Sequence, residues 1–378
     1  MNPIDELRAA RPAHLGDAPV DTRTRTRELS NAMSKPRSAR LPRRGAARPL
    51  WSFGLVGAAA VTAVAVVAVA VSGSGGTPPR APEPAPASTS TVRLSARDIL
   101  LAAAEKADRQ PAGTGAYWHT VSVRRTLFPA VGAGYLVMDR QRSEGWTPRA
   151  TGGDQWGSAK PLGARPATAA DEQAWKRAGS PAEIQVSVPG KSRPMTLSTT
   201  PGRTQTGHSP LTDGDKVFWL GRNVTMKDLL GLPSDSAELK AWLLRSYDGH
   251  DTESADEPMP ADMWLFDVSV GLITDMPVTP QVRGAAFRML AGLDTVDVIE
   301  GVTDAEGRQG SAVAIEEHTK GSGVVERRLI FDQATGRALG NESVVVKPGG
   351  RQTALPAGTV WSSQAVLEAG WTDHKPSS

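Results

Sequence analysis

The chain has 378 residues, no cysteine, ten tryptophans and a nearly even charge count, 43 Lys and Arg against 40 Asp and Glu. The missing cysteine excludes disulfides, thiolate metal sites and a cysteine nucleophile, so an exported body must be stable through its core alone. The formal net charge of +3 conceals a strong asymmetry along the chain.

Residues 1–49 hold eleven basic side chains against five acidic ones and are rich in Arg, Ala, Pro and Thr. Apart from a short apolar pattern at Ile4, Leu7, Ala10 and Leu15, they read as a disordered basic tail. Residues 50–71 follow without a single charge. As a helix this run reaches about 33 Å, enough to cross a hydrocarbon core of roughly 30 Å. Its length, and the long basic region ahead of it, favour a retained anchor over a cleaved signal peptide. The positive-inside bias then places the N-terminus in the cytoplasm and everything after the span outside, in a single-pass membrane protein. The excess of arginine is accounted for by this topology, and no specific nucleic-acid partner is implied. Residues 72–92, rich in Pro, Gly and Ser, form a stalk.

Residues 93–378 are the extracytoplasmic domain. A helix opens at Ser95, with Asp98 completing a capping box and Ile99, Leu100, Ala103 and Ala107 on one side. Strands are predicted over 116–124, with Tyr117, His119, Val121 and Val123 on one face, and over 134–146. Thr168 with Asp171 and Thr225 with Asp228 cap short helices that stop at Gly179 and Gly231. Asp235 with Glu238 opens a third, in which Leu239, Trp242, Leu243 and Tyr247 recur on the buried face. After Pro280 comes a fourth, with Val282, Ala286, Met289 and Leu293 in phase. From 294 onward short β-rich runs alternate with Gly-containing loops, at 304–307, 320–323, 332–336 and 348–350, which is the cadence of a hairpin meander. The fold class is therefore α+β: a large antiparallel sheet with helices on one face, preceded by one transmembrane helix.

Five phrases carry a family resemblance: Arg165–Pro181, Gly231–Leu239, Pro280–Ala291, Asp304–Gly310 and Leu329–Gly336. Together with the Asp5-Glu6-Leu7-Arg8 segment, they resemble an uncharacterised family of single-pass actinobacterial membrane proteins. Members are often encoded beside an extracytoplasmic-function sigma factor, and the resemblance implies a link to envelope-stress regulation. On that implication Ile4, Leu7, Arg8 and Arg11 are the candidate contacts of a cytoplasmic sigma-factor partner. The Phe331-Asp332-x-x-Thr335-Gly336 turn is also similar to turns in the curved half-barrels of lipoprotein-carrier and sigma-regulator domains, which implies a curved sheet.

Chemistry is harder to find. The six histidines never adopt a ligand spacing, so no metal site is expected. Gly207-His208-Ser209-Pro210 lacks the second glycine of a nucleophile elbow and reads as a turn in a polar loop. Gly132-Ala133-Gly134 reads as a tight turn rather than a phosphate loop. Glu316, Glu317 and Asp332 read as solvated strand and turn residues. No catalytic residue, metal ligand or cofactor is assigned, and the chain is not read as an enzyme. Nine of the ten tryptophans fall after residue 93. Ordinary core packing outweighs a ligand cavity for them, but Trp118, Trp219 and Trp264, all placed in predicted strands, are the candidate contacts for an apolar ligand. The leading expectation is a membrane-anchored binding or sensing module. A lipid or lipoprotein carrier and an unrecognised envelope hydrolase are its alternatives.

Overall fold

The computed structural model describes residues 95–220, 222–251, 258–319 and 323–375. The expected tail with Ile4, Leu7, Arg8 and Arg11, the span at 50–71 and the stalk lie outside them. Among the described residues no helix is long and apolar enough to cross a membrane.

Local chemistry sets the helix starts. At α1 (Ala96–Asp108) the Ser95 hydroxyl accepts from Asp98 N and the Asp98 carboxylate accepts from Ser95 N, satisfying donors that a helix start leaves open. The same reciprocal pair, Thr168 with Asp171 and Thr225 with Asp228, opens α2 (Ala169–Arg177) and α3 (Met226–Leu230). α4 (Ser236–Leu244) starts on the Asp235 carboxylate, which accepts from Ala237 N and Glu238 N. Leu239 and Leu243 of α4 are fully buried, as predicted. Trp242 is only partly buried, and its ring lies against the guanidinium groups of Arg222 and Arg245, 4.9 and 5.4 Å from its centroid.

α5 (Ala261–Thr274) corrects the sequence reading, which placed Trp264 in a strand. Eleven of its 14 residues are buried, and a helix covered on all sides shows no 3.6-residue pattern from which to recognise it. α6 (Pro280–Leu290) is capped by Thr279, with Pro280 in the first turn where its missing N–H costs nothing. It crosses α1 so closely that a Cβ on Gly284 would overlap the Asp108 carboxylate, which is ion-paired with Arg288.

The strands are β1 (Tyr117–Pro129), β2 (Leu136–Pro148), β3 (Asp154–Pro161), β4 (Arg165–Pro166), β5 (Glu183–Val186), β6 (Met195–Ser198), β7 (Gln205–Pro210), β8 (Lys216–Trp219), β9 (Arg222–Thr225), β10 (Val296–Thr303), β11 (Gln309–Thr319), β12 (Gly323–Asp332), β13 (Arg337–Lys347) and β14 (Ser362–Thr372). Ten of them form one antiparallel sheet in the order β10-β11-β12-β13-β14-β1-β2-β3-β7, with β4 paired to β2. β5 with β6 and β8 with β9 are separate hairpins. The fold is α+β with a large antiparallel sheet and few helices. Gly207-His208-Ser209-Pro210, expected as a loop, belongs to β7, where His208 pairs with Trp156 and stacks on it at 4.5 Å. β1 does not have a single buried face as predicted: Trp118 is buried on one side and Val121 and Val123 on the other.

The main core lies where the helices meet β11 and β12. Val313, Ile315, Leu329 and Phe331 point into it alongside Leu239, Leu265, Phe266 and Phe287, while Ala312 and Ile330, one residue out of step, form a small cluster on the reverse face. The 331–336 turn packs on α1. Asp332 accepts from Ala334 N and the Thr335 hydroxyl, and Gly336 has φ +66° with its Cα so near the helix that an added Cβ would sit 2.6 Å from the Ala103 oxygen.

One charged cluster sits inside this apolar layer. Arg327 of β12 reaches Asp267 of α5 at 2.9 Å and Glu317 of β11 at 3.1 Å, with Arg327 and Asp267 both almost wholly buried. The two carboxylates hold the Arg327 guanidinium firmly cationic, overcoming the opposing effect of burial. The Asp267 contact is an ion pair whose bent geometry forgoes a hydrogen bond. Burial pushes the Asp267 carboxyl up to about 7 against the pull of Arg327. Arg327→Met therefore leaves Asp267 buried without its partner and protonated, and is expected to cost about 3 kcal/mol in chemical denaturation at neutral pH. A change within about 0.5 kcal/mol would mean that the pair does not anchor α5.

Candidate functional site

Beyond the apolar patch, the helix-facing side of the sheet changes character. Register places Ser122 opposite Ser143, Arg124 opposite both Gln141 and Gln364, and Gln364 opposite Asn341. Paired residues in an antiparallel ladder point the same way, so Thr120, Ser122, Arg124, Gln141, Ser143, Gln364 and Asn341 form one polar surface across β13, β14, β1 and β2. The C-terminal end of α5 stands over it. Between them lies a cleft of about 180 Å³, closed on the helix side by Val270, Gly271, Thr274 and Asp275.

The end of α5 is held in place by several contacts. Trp118 Nε1 donates to the Asp275 carbonyl oxygen at 2.6 Å, and Asp275 N and Met276 N both donate to the Gly271 oxygen, at 3.1 and 3.0 Å. A Cβ on Gly271 would meet Met276 Cε at 2.6 Å, so the turn closes only around a glycine or with displacement of that methionine. The Thr274 hydroxyl is shared between the Val270 oxygen, at 2.7 Å, and the Asp275 carboxylate. On the sheet, Arg124 Nη2 donates to Gln364 Oε1 at 3.4 Å. Burial pushes the Asp275 carboxyl up to about 6, against the opposing pull of the Thr274 hydroxyl and the Arg124 charge. The cleft can therefore offer amide and hydroxyl groups on one wall, a guanidinium beside them, and a carboxyl that titrates close to neutrality.

The three candidate tryptophans are not brought together in this cleft. Trp118, Trp219 and Trp264 are each at least nine-tenths buried. Trp118 packs edge-on to Trp371 with centroids 5.5 Å apart and carries the Arg283 guanidinium on its other side, Trp264 meets Tyr247, and Trp219 belongs to the main core. Trp118 touches the cleft indirectly, through its hydrogen bond to Asp275. Among the acidic residues read as solvated, Glu317 instead takes part in the buried Arg327 cluster. Among the described residues no group of three or more His, Asp or Glu side chains is arranged to hold a metal ion. Nothing in the sequence alone singles out Arg124, Gln141, Asn341 and Gln364. Their alternation was visible, but polar alternation in a strand is the pattern of a solvent face, and only the sheet order reveals a helix above it.

Fold and cleft together define a class in structural terms, an α+β protein with a polar cleft between its antiparallel sheet and one buried helix. No family model matches the chain, and no curated protein matches it. A solved structure of a LolA superfamily protein from Nitrosomonas europaea aligns with 75% of this chain and 96% of its own at 12% identity, with a TM-score of 0.16, a likeness too slight to carry an argument.

The raised Asp275 carboxyl has a consequence for stability. In the folded protein it keeps its proton up to about pH 6, whereas in the unfolded chain it loses it near pH 4. The folded state thus binds the extra proton between those values, and the part of the stability that Asp275 contributes falls as pH rises from about 4 to about 6 and stays level above. Asp275→Asn is expected to reduce the slope of the stability–pH curve in that segment and to gain about 1–2 kcal/mol at pH 7. An unchanged slope in the variant would exclude Asp275 as its source.

Proposed function

We propose that this chain is a membrane-anchored extracytoplasmic binding or sensing module whose ligand enters the cleft between β1, β2, β14 and the end of α5. One observation carries the reading: a continuous polar surface containing Arg124 faces the titrating Asp275 across a narrow gap. Such a gap suits a small polar ligand, or one polar group of a larger one, recognised by hydrogen bonds in a site fixed before binding. The uncharged run at 50–71, with its arginine-rich flank, supports anchoring and the orientation of the domain outside the membrane.

Native mass spectrometry of the gently purified full chain is expected to show a retained small polar species, lost in Arg124→Gln at unchanged melting temperature. Extractable lipid in its place would favour the carrier reading. That reading draws on a sheet curved as a half-barrel, for which the 2.6 Å contact between Arg125 of β1 and Glu306 of the β10–β11 loop, made across the four strand pairings from β11 to β1, is the supporting observation.

The resemblance to proteins encoded beside sigma factors extends the proposal to signalling, with the tail as the inner contact. A full-length chain carrying Leu7→Asp and Arg8→Glu is expected to lose co-purification with the neighbouring sigma factor while its cleft ligand is retained. Equal recovery of the sigma factor with both chains would remove that part of the reading.

A further inference from the structure

The side of the sheet turned away from the helices gathers cations. Arg125 of β1 lies directly opposite Arg140 of β2, and Arg142, the next residue on that face, lies opposite Lys160 of β3. Arg165 of β4 pairs with Met138, the preceding residue on the same face of β2. Strand pairing and the two-residue period put all five side chains on one face, with neighbouring strands about 4.8 Å apart. Like charges set directly opposite each other weaken a sheet, and this one contains two such pairs side by side. Packing does not explain them, because an apolar or mixed-charge choice at the same positions would hold the strands better.

Among the described residues, carboxylates partner only two of the five. Glu306 meets Arg125 at 2.6 Å and Glu144 meets Arg142 Nε at 2.9 Å. Burial, and then the charges of Arg165 and Arg125, push the Arg140 guanidinium below its usual range. Arg125 is the clearest sign of an unfinished site. Its side chain is 13% exposed, and its Nη1 is buried and donates to nothing. A buried guanidinium nitrogen without an acceptor is costly unless something supplies one.

We propose that Arg125, Arg140, Arg142, Lys160 and Arg165 form a binding site for a phosphate-bearing group, with Glu306 on the β10–β11 loop occupying the anion's place on Arg125 until the ligand displaces it. Arginine forks match phosphate oxygens in pairs, and a group with two or more negative charges answers a cluster that a lone carboxylate leaves in excess. Displacement of Glu306 brings the phosphate oxygens to the guanidinium whose Nη1 has no acceptor. The site is on the opposite face of the sheet from the cleft and does not depend on what the cleft binds.

The test uses the full chain reconstituted in phosphatidylcholine nanodiscs and titrated calorimetrically with inorganic pyrophosphate at low, matched ionic strength. Binding is expected in the parent, weakened roughly tenfold or more in Arg140→Gln and in Arg165→Gln, and tightened several-fold in Glu306→Gln. Arg165 lies exposed on a two-residue strand, so its substitution is the safeguard should Arg140→Gln fail to fold. Arg140→Gln is also expected to melt higher than the parent without ligand, because a repulsive pair is gone. Repeating the titration with phosphatidylglycerol in the disc separates two sources of the phosphate. Competition assigns the site to a lipid headgroup, and an unchanged affinity assigns it to a soluble phosphoester. No binding by the parent, or equal affinity in the parent and in both arginine variants, overturns the proposal.

Discussion

The whole arrangement depends on a change of composition across one face of one sheet. On β11 and β12 that face is built from Val313, Ile315, Leu329 and Phe331, and the helices cover it because apolar area leaves water there at roughly 25 cal/mol for each Å². On β13, β14, β1 and β2 the same face holds Asn341, Gln364, Thr120, Ser122 and Gln141. A helix packed tightly on those residues would strip water from amides and hydroxyls and return little. The helical layer therefore packs on the apolar half and on β13, and stands off β14, β1 and β2. The cleft is the space that results.

α5 spans both halves, and its placement is over-determined. Asp267 is tied to Arg327 near the middle of the helix, and Trp118 grasps the main chain at its end. A buried ion pair adds little net stability compared with an apolar substitute, but it penalises a wrong register heavily, since sliding the helix by one residue would strand a charge. The same contacts that fix the register also fix the distance from the helix terminus to Arg124. The ion pair on the apolar half and Trp118 on the polar half thereby hold the helix from both sides.

How far the sequence discloses this differs from element to element. The reciprocal caps at Ser95, Thr168 and Thr225 are local chemistry, complete within four residues, and they form as expected. The meander from 294 onward is equally plain, because each hairpin is marked by its own turn. α5 is hidden for the opposite reason. Its sequence, Met263 to Thr274, is shielded on every side by other elements, so neither alternation nor helical spacing survives in it. β7 is concealed in a different way: Gly, His, Ser and Pro are turn formers, and only the neighbouring β3 holds them extended. The cleft residues were legible one by one as polar strand positions. Their convergence was not, since it requires β14 and β1 to be neighbours although they stand at opposite ends of the folded chain.

That adjacency governs how the molecule can be assembled. β14, which is made after all the other described strands, is the seam between the meander β10–β13 and the early strands β1–β3. Until it arrives, β1 and β13 each present an open edge, and no strand of one block pairs with a strand of the other. The sheet must therefore wait for β14, and a polypeptide still in synthesis or transit needs a holding partner, or speed, to keep those bare margins from finding strangers first.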